Sequence, residues 1–138
     1  MNKYLLDTST CSLWMQDNSR VKGRFDSLTE SDYYFTCPIV KGEIMFGIVR
    51  LPQGKRRQDL EQRANELFAT VTCDSIPDTV APVYAEIKIA SQKQGTSLGE
   101  CDLWIAATAL ALDAILVASD SDYERIIGLG LRLEDWKN

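Results

Sequence analysis

The chain has 138 residues, a formal net charge of −5, 45% apolar and 25% charged residues, and no histidine. Its apolar runs are too short to cross a bilayer, the negative charge argues against a large nucleic-acid surface built on bulk positive charge, and the commonest general base and transition-metal ligand is missing. We expect a single domain over residues 1–138 and a cytoplasmic protein without membrane contact, because the first residues form no signal-peptide core.

In the first half of the chain, two predicted strands alternate with helices. Lys3–Leu6 is a short apolar run that stops at Asp7, which is typical of a buried strand followed by a helix cap. The helix that follows is expected to carry Leu13, Trp14 and Val21. Tyr33–Cys37 is predicted as the second strand, and helical periodicity begins at about Ile39.

The middle of the chain continues this alternation. Gln58–Ala69 is predicted as an amphipathic helix, and Val71–Ile76 as a third strand. Asp78 or Thr79 is expected to cap a helix that ends at Gly95.

The last third begins with a polar connection over Thr96–Glu100, followed by an alanine-rich helix over Cys101–Leu112. Ala114–Ala118 is the clearest strand, because continuous apolar runs are typical of strands buried on both faces. A short helix and an edge strand near Leu131–Leu133 complete the pattern.

Strands that alternate with helices predict an α/β fold with a mostly parallel sheet and helices on both faces. In such folds, binding sites lie beyond the carboxyl ends of the strands. Asp7 directly follows one predicted strand and Asp120 lies two residues beyond the end of another, so we expect them to meet at this edge.

Two further acids, Glu43 and Asp102, complete a candidate site. Three of the acids have a structural alternative. Asp7 is also a candidate helix cap, Glu43 a solvated helical residue and Asp120 a turn residue. Asp122 is the alternative to Asp120 as the fourth acid of the site. Asp102 opens a helix so apolar that an inward-facing carboxylate needs a partner. Clustered carboxylates without a base repel one another, and a divalent cation is the usual remedy.

Other polar groups receive a structural interpretation. We expect the four cysteines to be small buried apolar residues, since they form no Cys-x-x-Cys pair and have no histidine to complete a zinc site; they are Cys11, Cys37, Cys73 and Cys101. A basic cluster is expected to be a solvated helix start or loop, with local phosphate contacts as the alternative; it comprises Arg50, Lys55, Arg56, Arg57 and Arg63.

The order and spacing of these motifs resemble PIN-domain ribonucleases, and most closely VapC-type toxins of bacterial toxin–antitoxin pairs. The matching segments cover nearly the whole chain: Leu5–Ser9, Gly42–Gly47, Lys93–Thr96, Asp102–Ala107, Leu116–Tyr123 and Ile127–Trp136. The resemblance implies a PIN-like three-layer α/β/α sandwich and endonucleolytic hydrolysis of RNA phosphodiester bonds.

The same resemblance implies roles for individual residues and partners. Asp7, Glu43, Asp102 and Asp120 would be the catalytic acids, with Asp7 and Asp102 as direct ligands of Mg²⁺ or Mn²⁺. Ser9 or Ser119 would form hydrogen bonds at the rim. A VapB-type antitoxin and a second copy of the chain are the implied partners. The aromatic residues Trp14 and Phe46 are candidates for such partner surfaces, with core packing as the expected role of each.

Other classes fit the sequence less well. Phosphatases of the haloacid dehalogenase type need a second Asp where Ser9 stands, receiver domains need an acidic pair and a late lysine, and Rossmann domains need Gly-x-Gly-x-x-Gly after the first strand. A non-enzymatic binding module with a degenerate site is the remaining alternative, and unneeded buried like charges argue against it.

Overall fold

The computed structural model describes residues 2–95 and 98–138, except for the side chains of Arg125 and Ile127. Met1 and the Thr96–Ser97 part of the predicted polar connection therefore lie outside the described residues. Five strands form one sheet in the order β3-β2-β1-β4-β5, and all pairings are parallel. They are β1 Lys3–Leu6, β2 Tyr33–Thr36, β3 Thr72–Cys73, β4 Ile115–Val117 and β5 Leu133–Glu134.

Helices connect the strands, as the alternation predicted. In chain order they are α1 Thr8–Met15, α2 Ser19–Asp26, α3 Pro38–Val49, α4 Lys55–Thr70, α5 Val80–Lys93, α6 Glu100–Ala111 and a 3-10 helix, Ser121–Leu129. The predicted α/β fold with a parallel central sheet is confirmed. In the part of the chain that the structure describes, no helix is long and apolar enough to cross a membrane.

The core lies around β1 and β4, the two central strands. Leu5 pairs with Phe35 on one side and with Leu116 on the other, and the side chains of Leu5 and Leu116 are fully buried. Helix α6 contributes a run of buried residues, Ile105–Ala109, and packs most extensively against α5. This burial explains why both central strands are continuous apolar runs in the sequence.

Several predicted boundaries were wrong. The single helix expected to carry Leu13, Trp14 and Val21 is two helices, because Asp17 adopts a positive φ of 59° and Asn18 caps α2 through the amides of Arg20 and Val21. The third strand contains only two residues, and the edge strand β5 begins two residues later than Leu131. Local propensity did not indicate these limits, because neighbouring strands set how far pairing extends.

The predictions for cysteines and aromatic residues hold in part. Cys11 and Cys37 are buried and Cys73 is partly buried, but Cys101 is exposed at the start of α6. Trp14 packs against the core, whereas Phe46 is 66% exposed, so core packing was the wrong role for it.

Candidate active site

Asp7 occupies the position directly after β1 and caps α1. Its Oδ1 accepts hydrogen bonds from the Thr10 amide at 3.0 Å and from the Ser9 hydroxyl at 2.7 Å. The residue is only 3% exposed. The capping role weighed for Asp7 is therefore confirmed, and it engages one carboxylate oxygen only.

The carboxyl ends of β1 and β4 are joined at this edge of the sheet. The Asp7 amide donates to the carbonyl of Val117 at 3.1 Å, and the Thr10 hydroxyl donates to the same carbonyl at 2.8 Å. The Ser119 amide donates to the Ser9 hydroxyl at 3.1 Å. These contacts bring the turn that contains Asp120 to the edge where Asp7 lies, as the sequence predicted.

Asp102 lies in the first turn of α6 and is partly buried. Its Oδ1 accepts a hydrogen bond from the hydroxyl of Tyr123 at 3.1 Å. Tyr123 belongs to the 3-10 helix and is 1% exposed. Sequence analysis assigned Tyr123 no role, and no local pattern could have found it, because the contact joins two elements 21 residues apart.

Glu43 lies on α3 and is also partly buried, so the solvated interpretation of this residue does not hold. Its Oε1 accepts a hydrogen bond of 2.5 Å from the hydroxyl of Thr8, which opens α1. Thr8 is a second site residue that the sequence analysis missed.

The acids influence one another electrostatically. Burial raises the pKa of Asp7 to about 6, and the charge of Asp102 adds to that rise. Burial likewise raises the pKa of Asp102, helped by the carboxylates of Asp120, Glu43 and Asp122. All the predicted acids thus lie in one region. Of the two candidates for the fourth acid, Asp120 affects the pKa of Asp102 more than Asp122 does.

The donor set is compatible with a hydrated divalent cation. Among the described side chains, which exclude that of Arg125, no lysine or arginine forms an ion pair with any of the four acids. In the same part of the chain, the hydrogen bonds to each of these carboxylates are accepted by one oxygen. No three acids or thiols of the described chain converge as ligands on one point. Such a set fits Mg²⁺, which binds one or two carboxylates and keeps several waters.

A cavity of about 290 Å³ borders Glu43, one of the four acids. Its walls include Thr8 and Glu43 on α1 and α3, together with Arg50 and Arg56, and several apolar residues also line it. Among the described residues neither arginine forms an ion pair. We call this cavity the arginine pocket.

The basic cluster is therefore divided in its roles. Arg57 pairs with Glu61 and donates to the carbonyl of Leu51, and Arg63 pairs with Asp17 and donates to the carbonyl of Met15. Arg57 and Arg63 are thus engaged in contacts within the fold. Of the basic cluster, Arg50 and Arg56 line the arginine pocket.

Comparisons with known proteins agree with the fold. Residues 4–129 match the PIN domain family. The chain is similar to toxin FitB of Neisseria gonorrhoeae, with 33% identity over 110 residues, covering 76% of this chain and 78% of FitB. It is also similar to VapC ribonuclease Y4jK of Sinorhizobium fredii, with 25% identity, covering 96% of this chain and 97% of that protein.

Solved structures give the same result. The toxin–antitoxin complex VapBC2 of Rickettsia felis, bound to a promoter DNA fragment, contains a chain that superposes with a TM-score of 0.87 at 21% identity, covering 97% of this chain and 98% of that one. A chain of FitAB bound to a DNA fragment gives a TM-score of 0.79 at 26% identity, covering 98% and 96%. The resemblance to PIN proteins of the VapC type is thereby confirmed, and the chain belongs to the PIN domain family.

Proposed function

We propose that this chain is a metal-dependent endoribonuclease and the toxin of a VapBC-type toxin–antitoxin pair. The observation that carries the proposal is the group of four acids at the carboxyl edge of the sheet, which has no cationic side chain paired with it in the described residues. Near-full-length relatives named VapC ribonuclease support the RNA-cleaving activity.

In this proposal Asp7 and Asp102 would hold Mg²⁺ or Mn²⁺. A bound divalent cation would lower the pKa of a ligated water and neutralise charge in the transition state of phosphodiester hydrolysis. Glu43 and Asp120 would orient waters around the site, and Glu43 would accept a proton from the attacking water. The chain needs no histidine for this chemistry.

The RNA strand is held beside the acids by the arginine pocket. Arg50 and Arg56 bring positive charge to the wall of a pocket that Glu43 also lines, and Glu43 belongs to the acidic group as well. Guanidinium groups bind phosphate oxygens in bidentate geometry. We assign them to a backbone phosphate next to the scissile one, which positions the strand without reading its sequence.

The partner of the toxin is a VapB-type antitoxin, in line with the VapBC and FitAB complexes that this chain resembles. Exposed apolar side chains on α3 offer a surface for the antitoxin or for a second copy of the chain; they are Met45, Phe46 and Val49. Action on intracellular RNA implies a cytoplasmic protein.

The test is cleavage of a mixed pool of structured RNAs, including tRNAs, by the protein purified without a partner. Wild type is compared in Mg²⁺ and in EDTA, beside Asp7→Asn and Asp102→Asn, with Asp26→Asn on the exposed side of α2 as the matched control. We expect discrete fragments from wild type and the control in Mg²⁺ only. Cleavage that survives in both site variants would remove the assignment, and a folded wild type that neither cleaves RNA nor gains stability from Mg²⁺ would favour a binding module.

A further inference from the structure

Tyr123 contacts the acidic group through a single buried atom. A buried tyrosine hydroxyl needs a hydrogen-bond partner, and here that partner is Oδ1 of Asp102 at 3.1 Å. The hydroxyl of Tyr123 therefore donates to one oxygen of one acid.

This hydrogen bond makes the two oxygens of Asp102 unequal. Oδ1 is engaged by the phenol, whereas Oδ2 receives no hydrogen bond from the described residues. Tyr123 lies on the 3-10 helix and Asp102 on α6, so the bond also fixes the rotation of the carboxylate relative to the sheet. A carboxylate held this way offers a cation one oxygen rather than two.

The number of oxygens offered by each carboxylate distinguishes divalent cations. Mg²⁺ requires near-octahedral geometry and takes single carboxylate oxygens together with waters, whereas Ca²⁺ takes six to eight oxygens and often binds carboxylates through both. Manganese is likewise an octahedral ion bound by oxygen ligands. An acid restricted to one oxygen consequently favours the smaller octahedral ions.

We propose that Tyr123 is a positioning residue that makes Asp102 a one-oxygen ligand and thereby biases the site toward Mg²⁺ and Mn²⁺ over Ca²⁺. The inference rests on the proposed function in one respect, namely that the acids bind a divalent cation. In this assignment Tyr123 acts through Asp102, the residue to which its hydroxyl donates.

The experiment measures cation binding without RNA. Calorimetric titrations give the affinities of wild type and Tyr123→Phe for Mn²⁺ and for Ca²⁺. The matched control is Tyr4→Phe, because Tyr4 is 2% exposed and its hydroxyl contacts Asn2 and Arg24 instead of an acid. Loss of an outer partner weakens metal binding by about 10-fold to 100-fold. We expect a loss of about 10-fold for Mn²⁺, with Ca²⁺ binding unchanged or tighter because Oδ1 becomes available.

Each other outcome has its own meaning. Equal losses for both cations, or no loss for either, would overturn the inference, since a structural role does not distinguish the ions. A wild type that binds neither cation would overturn the proposed function, and this inference with it.

A second measurement keeps the inference testable should Tyr123→Phe fail to fold. Infrared spectra of wild type with ¹³C-labelled aspartate separate one-oxygen from two-oxygen carboxylate binding by the splitting of the two carboxylate stretches. We expect the one-oxygen pattern with Mg²⁺. A two-oxygen pattern for all the aspartates that respond to Mg²⁺ would contradict the role assigned to Tyr123.

Discussion

Glu100 and Asp102 stand in the same first turn of α6 and are in opposite situations. Glu100 is exposed and accepts hydrogen bonds from Lys88 at 2.6 Å and from Tyr84, and the Lys88 ammonium lowers its pKa. Asp102 is half-buried, has no cationic partner among the described residues, and has a raised pKa. Both lie in the first turn of the helix, where the dipole favours an acid, so the dipole does not explain the difference.

The difference shows where the chain leaves negative charge unbalanced. On the outer side of the turn, Lys88 is the cation that balances Glu100. Tyr84 also stacks on Trp104 there, with ring centroids 3.8 Å apart, and this contact joins α5 to α6. On the inner side, hydroxyl groups orient the acids without neutralising them. Uncompensated buried charge costs stability, and functional sites are where such a cost is tolerated.

The largest effect is expected from neutralising the inner acid. Asp102→Asn removes a proposed metal ligand, so RNA cleavage should fall on the order of 10²-fold or more. In EDTA at neutral pH, however, its thermal stability should rise, because a carboxylate destabilised by burial and by like charges becomes a neutral amide. Cleavage assays measure the expected loss of activity, and thermal melts measure the expected gain of stability. A variant that loses both activity and stability would indicate misfolding instead.

Asp7 is a second buried acid with a raised pKa, and this rise predicts a pH dependence of stability. The pKa is about 6 in the folded protein against 3.8 for the free group, so the folded state holds the proton more tightly. The contribution of Asp7 to the free energy of unfolding is therefore complete below about pH 3.8. It is lost as the pH rises through about 6.

Relative to Asp7→Asn, which keeps the cap and does not titrate, wild type should therefore lose about 2 kcal/mol of unfolding free energy between about pH 4.5 and pH 7. Urea unfolding of both proteins in EDTA measures this difference. Saturating Mg²⁺ should abolish it, because a cation favours the ionised form. A constant difference across this range would show that Asp7 does not titrate there.

A smaller effect is expected from the arginine pocket. Its two arginines form no ion pair among the described residues, just as the inner acids form none. The double variant Arg50→Gln, Arg56→Gln should weaken RNA binding and reduce the slope of log affinity against log salt by about 1.4, since each phosphate contact to a single strand contributes about 0.7. Arg20→Gln on exposed α2 is the control. An unchanged slope would remove both arginines from the RNA surface.

The smallest effect is expected on the outer side of the turn. Glu100→Gln leaves the hydrogen bonds of Lys88 and Tyr84 possible but removes the ion pair, and exposed ion pairs contribute little to stability. Cleavage should stay within about twofold of wild type, with a slightly lower melting temperature. A large loss of activity would mean that Glu100 and Asp102 are coupled, so that the outer side of the turn also serves the reaction.

Much of this arrangement could be predicted from the sequence. The apolar run at Ala114–Ala118 located β4, and the position of Asp7 after β1 followed from the polarity change at that residue. Because parallel strands end at one edge of the sheet, the meeting of Asp7 and Asp120 also followed. The choice of Asp7 and Asp102 as direct ligands stays a prediction.

The hydroxyl groups around the acids could not be predicted in the same way. The contacts of Thr8 with Glu43 and of Tyr123 with Asp102 depend on how α1 packs against α3 and how the 3-10 helix packs against α6. Side-chain contacts of this kind arise from packing and not from periodicity. The break at Asp17 was missed for a related reason, since a positive φ at a residue other than glycine is uncommon.

The central position of β1 has a consequence for protein synthesis. During synthesis β1 is made long before its β4 neighbour, which lies more than a hundred residues later in the chain. The hydrogen bond from the Ser119 amide to the Ser9 hydroxyl likewise spans 110 positions. A nascent chain that ends before β4 has Asp7 and Glu43 but lacks Asp120 and the phenol that holds Asp102. The acidic group can therefore assemble only after the segment that contains β4 and the 3-10 helix has been made.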